Sequence, residues 1–297
     1  MIGWIIYSGT LKIKKIEDLV DNLVEVSRDF NIDLIKVKNT EIIPHYNKNG
    51  EAKIKTNKIL KKPEFVIFWD KDIYLAKHLE NMGYRLFNNS KAIDNCDDKG
   101  LMHLTLGNKG IKMPKTYLSP MIFYTENIEN NYLNSIFNDL KENVIIKESK
   151  GSFGMQVYNI KEEKAFINKI KELNEKGVRF IIQENIKSSY GRDIRVNIVG
   201  NKIIGAMTRE SKVDFRANIS QGGVGTLYKL NKEQEEMSLK ATKALGLDFS
   251  GVDLLFGEKD EVILCEVNSN LNYLSFEKIW GKSFGEEIIK YIIEELK

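Results

Sequence analysis

Asp253, Glu266 and Asn268 are the residues whose types and spacing most directly suggest chemistry. Gly257-Glu258-Lys259-Asp260-Glu261 is a turn signal between two apolar runs. A hairpin turning between Lys259 and Asp260 sets Asp253 opposite Glu266. Asn268, two residues on, shares the face of Glu266. Two carboxylates opposed on a surface otherwise made of Val, Leu, Ile and Phe repel each other and require a cation. All-oxygen donors select Mg²⁺ or Mn²⁺ over zinc. A solvated sheet face with charges placed by chance is the competing reading; Val252 and Leu254-Leu255-Phe256 around Asp253 weigh for the metal.

Two further segments could handle anions. Lys147 ends an apolar strand and is followed by Glu148-Ser149-Lys150-Gly151-Ser152-Phe153-Gly154. Glycines let backbone N–H groups approach phosphate oxygens, and the lysine adds a point charge. No GK[ST] closes this loop, so it is not a Walker A motif. Taken alone, it fits an ordinary hairpin connection equally well. Arginine is the other signal: seven among 45 basic residues, five of them from Arg179 to Arg216. Where lysine is the default cation, arginine marks a need for the planar fork that binds phosphate or carboxylate. Asp193, Arg195 and Asn197 alternate with Ile194, Val196 and Ile198, so one face of that strand is charged. Arg209 arrives on the paired strand, and Arg216 sits in a glycine-bearing loop.

The elements that must hold these residues follow from periodicity. Ile2–Tyr7, Leu34–Val37, Phe65–Trp69 and Arg85–Phe87 read as strands separated by helices, the pattern of a parallel sheet covered on both faces. Asn47–Lys62 is a loop or small hairpin between them, and Ser90 is placed to cap a short helix. After Lys99–Leu106, a helix, the pattern changes, with strands at 144–147, 155–160, 180–183, 194–199, 202–208, 251–256 and 261–268. Helices accompany them at 132–141, 164–174, 233–245 and 284–296. The fold class is α/β followed by α+β, in three lobes spanning 1–92, 93–184 and 185–297.

The 297 residues, 42% apolar and 29% charged, exclude a disordered chain, collagen and a coiled-coil rod. A net charge of +3 excludes a general nucleic-acid binder. No apolar run approaches the ~20 residues that a bilayer requires, and the opening Met1–Tyr7 reads as a buried strand, not a signal peptide. Cys96 and Cys265 lack metal spacing and read as small buried hydrophobes in a reduced, cytoplasmic protein. His45, His78 and His103 fall in no motif and read as structural or surface residues.

Each signal alone is weak, but their order is specific. Ser90 to Lys99, Gly110 to Thr116, Gln183-Glu184-Asn185-Ile186, Gly191 to Arg195, Asp214 to Asn218, Gly222-Gly223 and Cys265 to Asn270 together resemble the RimK-like ATP-grasp ligases. That is the family of the ribosomal protein S6 glutamate ligase and related alpha-L-glutamate ligases. The similarity runs from Asn88 to Asn268; before it, only the α/β character matches.

The resemblance implies an ATP-grasp fold with two α+β lobes clasping ATP behind an N-terminal parallel-sheet lobe. It implies that Lys99 and Lys147, with Gly151, Ser152 and Gly154, contact ATP phosphates. Gln183, Glu184, Asn185 and Ile186 would form a hinge around adenine, and Asp193 would lie near the nucleotide. Arg209, Arg216 and Asn218 would meet the γ-phosphate and the intermediate, and Asp253, Glu266 and Asn268 would hold two Mg²⁺ ions, Mn²⁺ serving in their place. Glu148 stands where many relatives have proline, and Asn185 where an aromatic residue is common. The implied reaction joins a carboxylate-bearing substrate to an amine, with an amino acid, glutamate among the candidates, as one partner. A homo-oligomer, with neither nucleic acid nor membrane as partner, completes the expectation. A D-alanine–D-alanine-type ligase is the second enzyme reading, ranked lower because of Asp214 to Asn218. A non-catalytic ATP-binding regulator is the third.

Overall fold

The computed structural model describes residues 1–11, 13–121, 128–140, 143–151, 154–211, 214–217 and 223–297. Ser152 and Asn218, two of the expected site residues, lie outside them. In the first lobe β1 (Ile2–Tyr7), α1 (Lys14–Asp29), β2 (Asp33–Lys38), β3 (Ile43–Tyr46), β4 (Ala52–Lys55), β5 (Phe65–Trp69), α2 (Ile73–Asn81) and β6 (Leu86–Phe87) follow in order. The parallel sheet runs β2-β1-β5-β6, and β3 and β4 form a small hairpin that begins at Ile43, before the expected Asn47–Lys62 segment, and ends at Lys55. α3 (Ser90–Asp97) is capped by Asn89, not Ser90: the Asn89 carboxamide accepts from Ala92 N, while Ser90 Oγ donates to Glu80.

α4 (Lys99–Leu106) leads to β7 (Thr116–Leu118), α5 (Asn130–Asp139), β8 (Val144–Glu148), β9 (Val157–Ile160), α6 (Glu163–Glu175) and β10 (Phe180–Glu184). Their sheet is antiparallel, in the order β7-β10-β8-β9. Val144, Ile146, Phe180 and Ile182 bury one of its faces against α5 and α6. Strand alternation therefore turns Ile145, Lys147, Ile181 and Gln183 to the opposite face.

The third sheet, β13-β12-β11-β14-β15, is built from β11 (Arg192–Val199), β12 (Lys202–Glu210), β13 (Val224–Tyr228), β14 (Phe249–Phe256) and β15 (Val262–Asn268). α7 (Lys232–Leu245), with residues of α3 and α4, covers the face bearing Ile194, Val196, Val252 and Leu264. α8 (Leu274–Trp280) and α9 (Phe284–Glu295) return to the first lobe, where Phe284, Ile288 and Ile292 join the core of α1. Asn88 locks this junction: fully buried, it donates to Phe249 O and Ser269 O and accepts from Asp248 N. No described helix is long and apolar enough to cross a membrane.

Candidate functional site

The charged face of the third sheet is a closed network. Asp193 pairs with Arg209 across β11 and β12, and Arg195 pairs with Asp253 across β11 and β14. Arg209 Nε and Nη2 donate to the two Asp193 oxygens at 2.7 and 2.6 Å, and Nη2 also lies 3.0 Å from Asp253 Oδ1. Arg195 donates to Asp253 through Nε and, at 2.8 Å, through Nη2. Arg209 is 5% and Asp253 2% exposed, so these are desolvated pairs that persist because each charge has a fitted partner. Burial opposes ionisation of Asp253, but Arg195 and Arg209 outweigh it and hold the carboxyl below its usual range. The opposition between Asp253 and Glu266 is thus answered first by the protein's own guanidiniums. Arg195 thus joins the site residues, and its place on the charged face of β11 is legible from alternation alone.

Asp253 and Glu266 do lie opposite each other, by a route the turn arithmetic missed. Leu254 pairs with Leu264 and Phe256 with Val262, so the turn centres on Lys259, whose φ is 51°. A bulge at Cys265 adds one residue and restores the pairing. Asn268 Nδ2 lies 3.3 Å from Glu266 Oε1 and 3.4 Å from Asp253 Oδ2.

Among the described residues no group of three His, Cys, Asp or Glu side chains suits a metal. The donor set here is smaller: the partly buried Glu266 carboxylate, which accepts only from Asn268 among those residues, and the Asn268 amide. That set fits a hard cation that takes its remaining ligands from phosphates and water. Each Asp253 oxygen already faces two donors, so Asp253 reaches an ion only by giving up one of them.

The second sheet meets this face through Lys147, whose Nζ lies 3.8 Å from Cys265 Sγ. Burial pushes the Cys265 thiol up to about 11, against the pull of Lys147. Cys265, read from the sequence as a small buried hydrophobe, is thus also a neighbour of the charged groups. Lys99 opens α4, its N–H bonded to Ser149 O at 2.9 Å; burial lowers its ammonium, with Lys147 and Lys71 adding to the shift and Glu266 opposing it. Gly154, at φ 71°, turns the loop after β8 so that its carbonyl accepts from Arg216, which Asp214 holds by a fork. Gly151 lies in the same loop, where an added Cβ would meet Gln156 Oε1 at 2.8 Å.

At the other end of the face, Gln183 donates to Thr116 Oγ1 and His103 Nε2. Glu184 Oε1 accepts from Lys115 N at 2.7 Å, and Asn185 and Ile186 are half-buried beyond it. His103, which no motif had marked, sits one helical turn after Lys99 on α4. The structure thus gathers Lys99, Lys147, Gln183, Asp193, Arg209, Asp253, Glu266 and Asn268 along two facing sheets and one helix. Arg216 and Gly154 lie at the rim.

A model of the RimK-like ATP-grasp domain matches residues 96–292. The chain belongs to the RimK-like ATP-grasp family. It is 34% identical over 229 residues to the probable alpha-L-glutamate ligase of Coxiella burnetii, covering 75% of this chain and 72% of that protein. It is 31% identical over 235 residues to human N-acetylaspartylglutamate synthase A, covering 76% of this chain but only 57% of the synthase. The solved structure of the ATP-grasp ligase PsnB with minimal precursor, Mg and ADP superposes with a TM-score of 0.69 at 14% identity, over 99% of this chain and 98% of PsnB. The RimK-like assignment makes the chain an ATP-dependent ligase that forms amide bonds, of a fold whose members use ATP and Mg²⁺.

Proposed function

We propose that this ligase binds Mg²⁺–ATP between the Lys147–Gln183 face of the second sheet and the arginine–aspartate face of the third. There it joins an amino acid, with glutamate as first candidate, to a peptide, protein or small carboxylate acceptor. The observation that carries this reading is the meeting of the two faces at Lys147 and Cys265, with Lys99 and Glu266 beside them. Glutamate follows from the names of the relatives alone.

A carboxylate resists an amine because its charge repels the nucleophile and oxide leaves poorly. Transfer of the γ-phosphoryl group to a carboxylate oxygen gives an acyl phosphate and ADP. The amine then attacks the acyl carbon, the amide forms and phosphate departs. In this scheme Lys99 and Lys147 bind and orient the phosphates, and Arg216 faces the transferred group from the loop at Gly154. Arg209, forked to Asp193 and touching Asp253, has no partner for Nη1 among the described residues and can turn that donor to the reaction. Glu266 and Asn268 would hold one or two Mg²⁺ ions, or Mn²⁺ in their place, with Asp253 behind them; the metal would supply charge neutralisation between the phosphates. The Gly151–Gly154 segment would exclude the water that hydrolyses acyl phosphates.

The test is an ADP-release assay with Mg²⁺–ATP over a panel of amino acids and carboxylate acceptors, with mass detection of the condensed product. ADP formation that depends on both an amino acid and an acceptor is expected. Nucleotide binding without such turnover for any pair would favour a regulatory binder, and D-alanine dimer as sole product would favour the second enzyme reading.

A further inference from the structure

Gln183, 1% exposed, is held among the described residues by one end of its carboxamide only. Thr116 Oγ1 donates its single proton to Pro114 O at 2.7 Å. Toward Gln183, 2.8 Å away, that oxygen can therefore only accept, which places the amide nitrogen and not the oxygen on this side. The other amide proton points to His103 Nε2 at 2.9 Å. Nε2 must then be bare, with the ring proton on Nδ1. Burial and the Lys147 ammonium lower His103 to about 4, so the neutral imidazole this arrangement needs is the form present at neutral pH. Among the described residues nothing donates to Gln183 Oε1, and it lies on the face shared with Ile145, Lys147 and Ile181.

We propose that His103 is a positioning residue for nucleobase selection: with Thr116 it locks the Gln183 carboxamide so that an acceptor oxygen, and not a donor nitrogen, is left for the base. The proposal rests on the nucleotide site described above and goes one step further, to which nucleotide that site accepts. Adenine carries an exocyclic amine, a donor, where guanine carries a carbonyl oxygen. A carboxamide free to rotate serves either base; one pinned at its nitrogen end by two acceptors serves adenine and leaves guanine facing a like oxygen. A site built around one hydrogen-bond polarity rejects the opposite one far more strongly than shape alone would. The same geometry argues against His103 as a proton carrier, because its Nε2 lone pair is already in use.

Calorimetric titration with Mg²⁺–ADP and Mg²⁺–GDP tests this on the intact chain. Wild type is expected to favour ADP by about tenfold or more. His103→Leu should narrow that ratio by about fivefold or more, chiefly by weakening ADP. His103→Gln, whose carboxamide oxygen can accept the same proton, should restore it. Thr116→Val removes the other pin without altering shape and should narrow the ratio too, which keeps the test informative where His103→Leu folds poorly. A folded His103→Leu or Thr116→Val protein with the wild-type ratio overturns the proposal. So does a wild type that binds both nucleotides equally, while the nucleotide site itself survives that result. Failure of wild type to bind either nucleotide overturns the site and the proposal together.

Discussion

Arg195 shows how a single side chain decides what the charged face can do. Its fork neutralises Asp253, leaving Glu266, among the described residues of this face, as the carboxylate whose charge no guanidinium in contact matches. Removing one partner of a buried pair strands the other, at about 3–5 kcal/mol. Arg209 still reaches Asp253, so Arg195→Leu should fall near the lower end, about 3 kcal/mol in urea unfolding. Arg195→Lys keeps the charge but not the fork and should lie between the two. A loss under about 1 kcal/mol for Arg195→Leu would show that Arg209 alone satisfies Asp253. Gly251 supports the same arrangement, because a Cβ there would stand 3.0 Å from Arg195 Nη1.

Among the elements, those built on long apolar runs were legible in the sequence and those built on contact were not. β5 is an unbroken run of branched and aromatic residues, β1 is one interrupted only by Gly3, β8 opens Val-Ile-Ile, and α7 has a capping box at Asn231 and Gln234. β7 is three residues at a sheet edge just after Pro114, and β13 is an exposed edge strand; neither has a buried alternation to read. α8 has seven residues and no side-chain cap, so only its packing reveals it. The site divides the same way. Alternation along β11, β14 and β15 placed the charged face, while the Arg195–Asp253 fork and the His103–Gln183 bond join residues 58 and 80 positions apart, for which a single sequence offers no signal. The docking of α8 can be tested at Gly205, where a Cβ would lie 2.6 Å from the ring of the buried Phe276. Gly205→Ala should cost about 1–3 kcal/mol as the ring is displaced. An unchanged urea midpoint would mean that α8 shifts freely on β12.

The molecule as a whole is joined across Asp248, which accepts from Arg85 at the edge of the first lobe and from Tyr291 on α9, both through Oδ1. Burial raises its carboxyl to about 6, with Arg85 and Tyr291 pulling the other way. The folded state then holds this proton more tightly than the unfolded chain does. Its contribution is therefore constant below pH ~4 and becomes unfavourable as pH climbs to ~6, by about 3 kcal/mol in total. Asp248→Asn, which cannot titrate, should gain stability relative to wild type across that window; parallel pH profiles of the two proteins would remove the assignment.

Nucleotide binding gives the most demanding test of the proposed site, because it separates the contribution of the metal from that of the lysines. A ligand that binds only the folded state at a hundredfold its Kd stabilises by about 2.7 kcal/mol, which raises the thermal midpoint by several degrees. With ADP and Mg²⁺ present, wild type should show that full rise, and chelation by EDTA should remove most of it. Glu266→Gln should show only the small EDTA-level rise whether or not Mg²⁺ is present, and in the panel assay its turnover should fall by about a hundredfold or more. Its own midpoint without ligand should stay near wild type, since Glu266 is only partly buried and, among the described residues, bonded to Asn268 alone. Lys147→Ala should instead lower the rise both with and without metal, because in the proposed site its ammonium meets phosphate directly. If Mg²⁺ and EDTA gave wild type equal shifts, Glu266 and Asn268 would not hold the ion. The arginine-balanced sheet face would then act on the nucleotide without it.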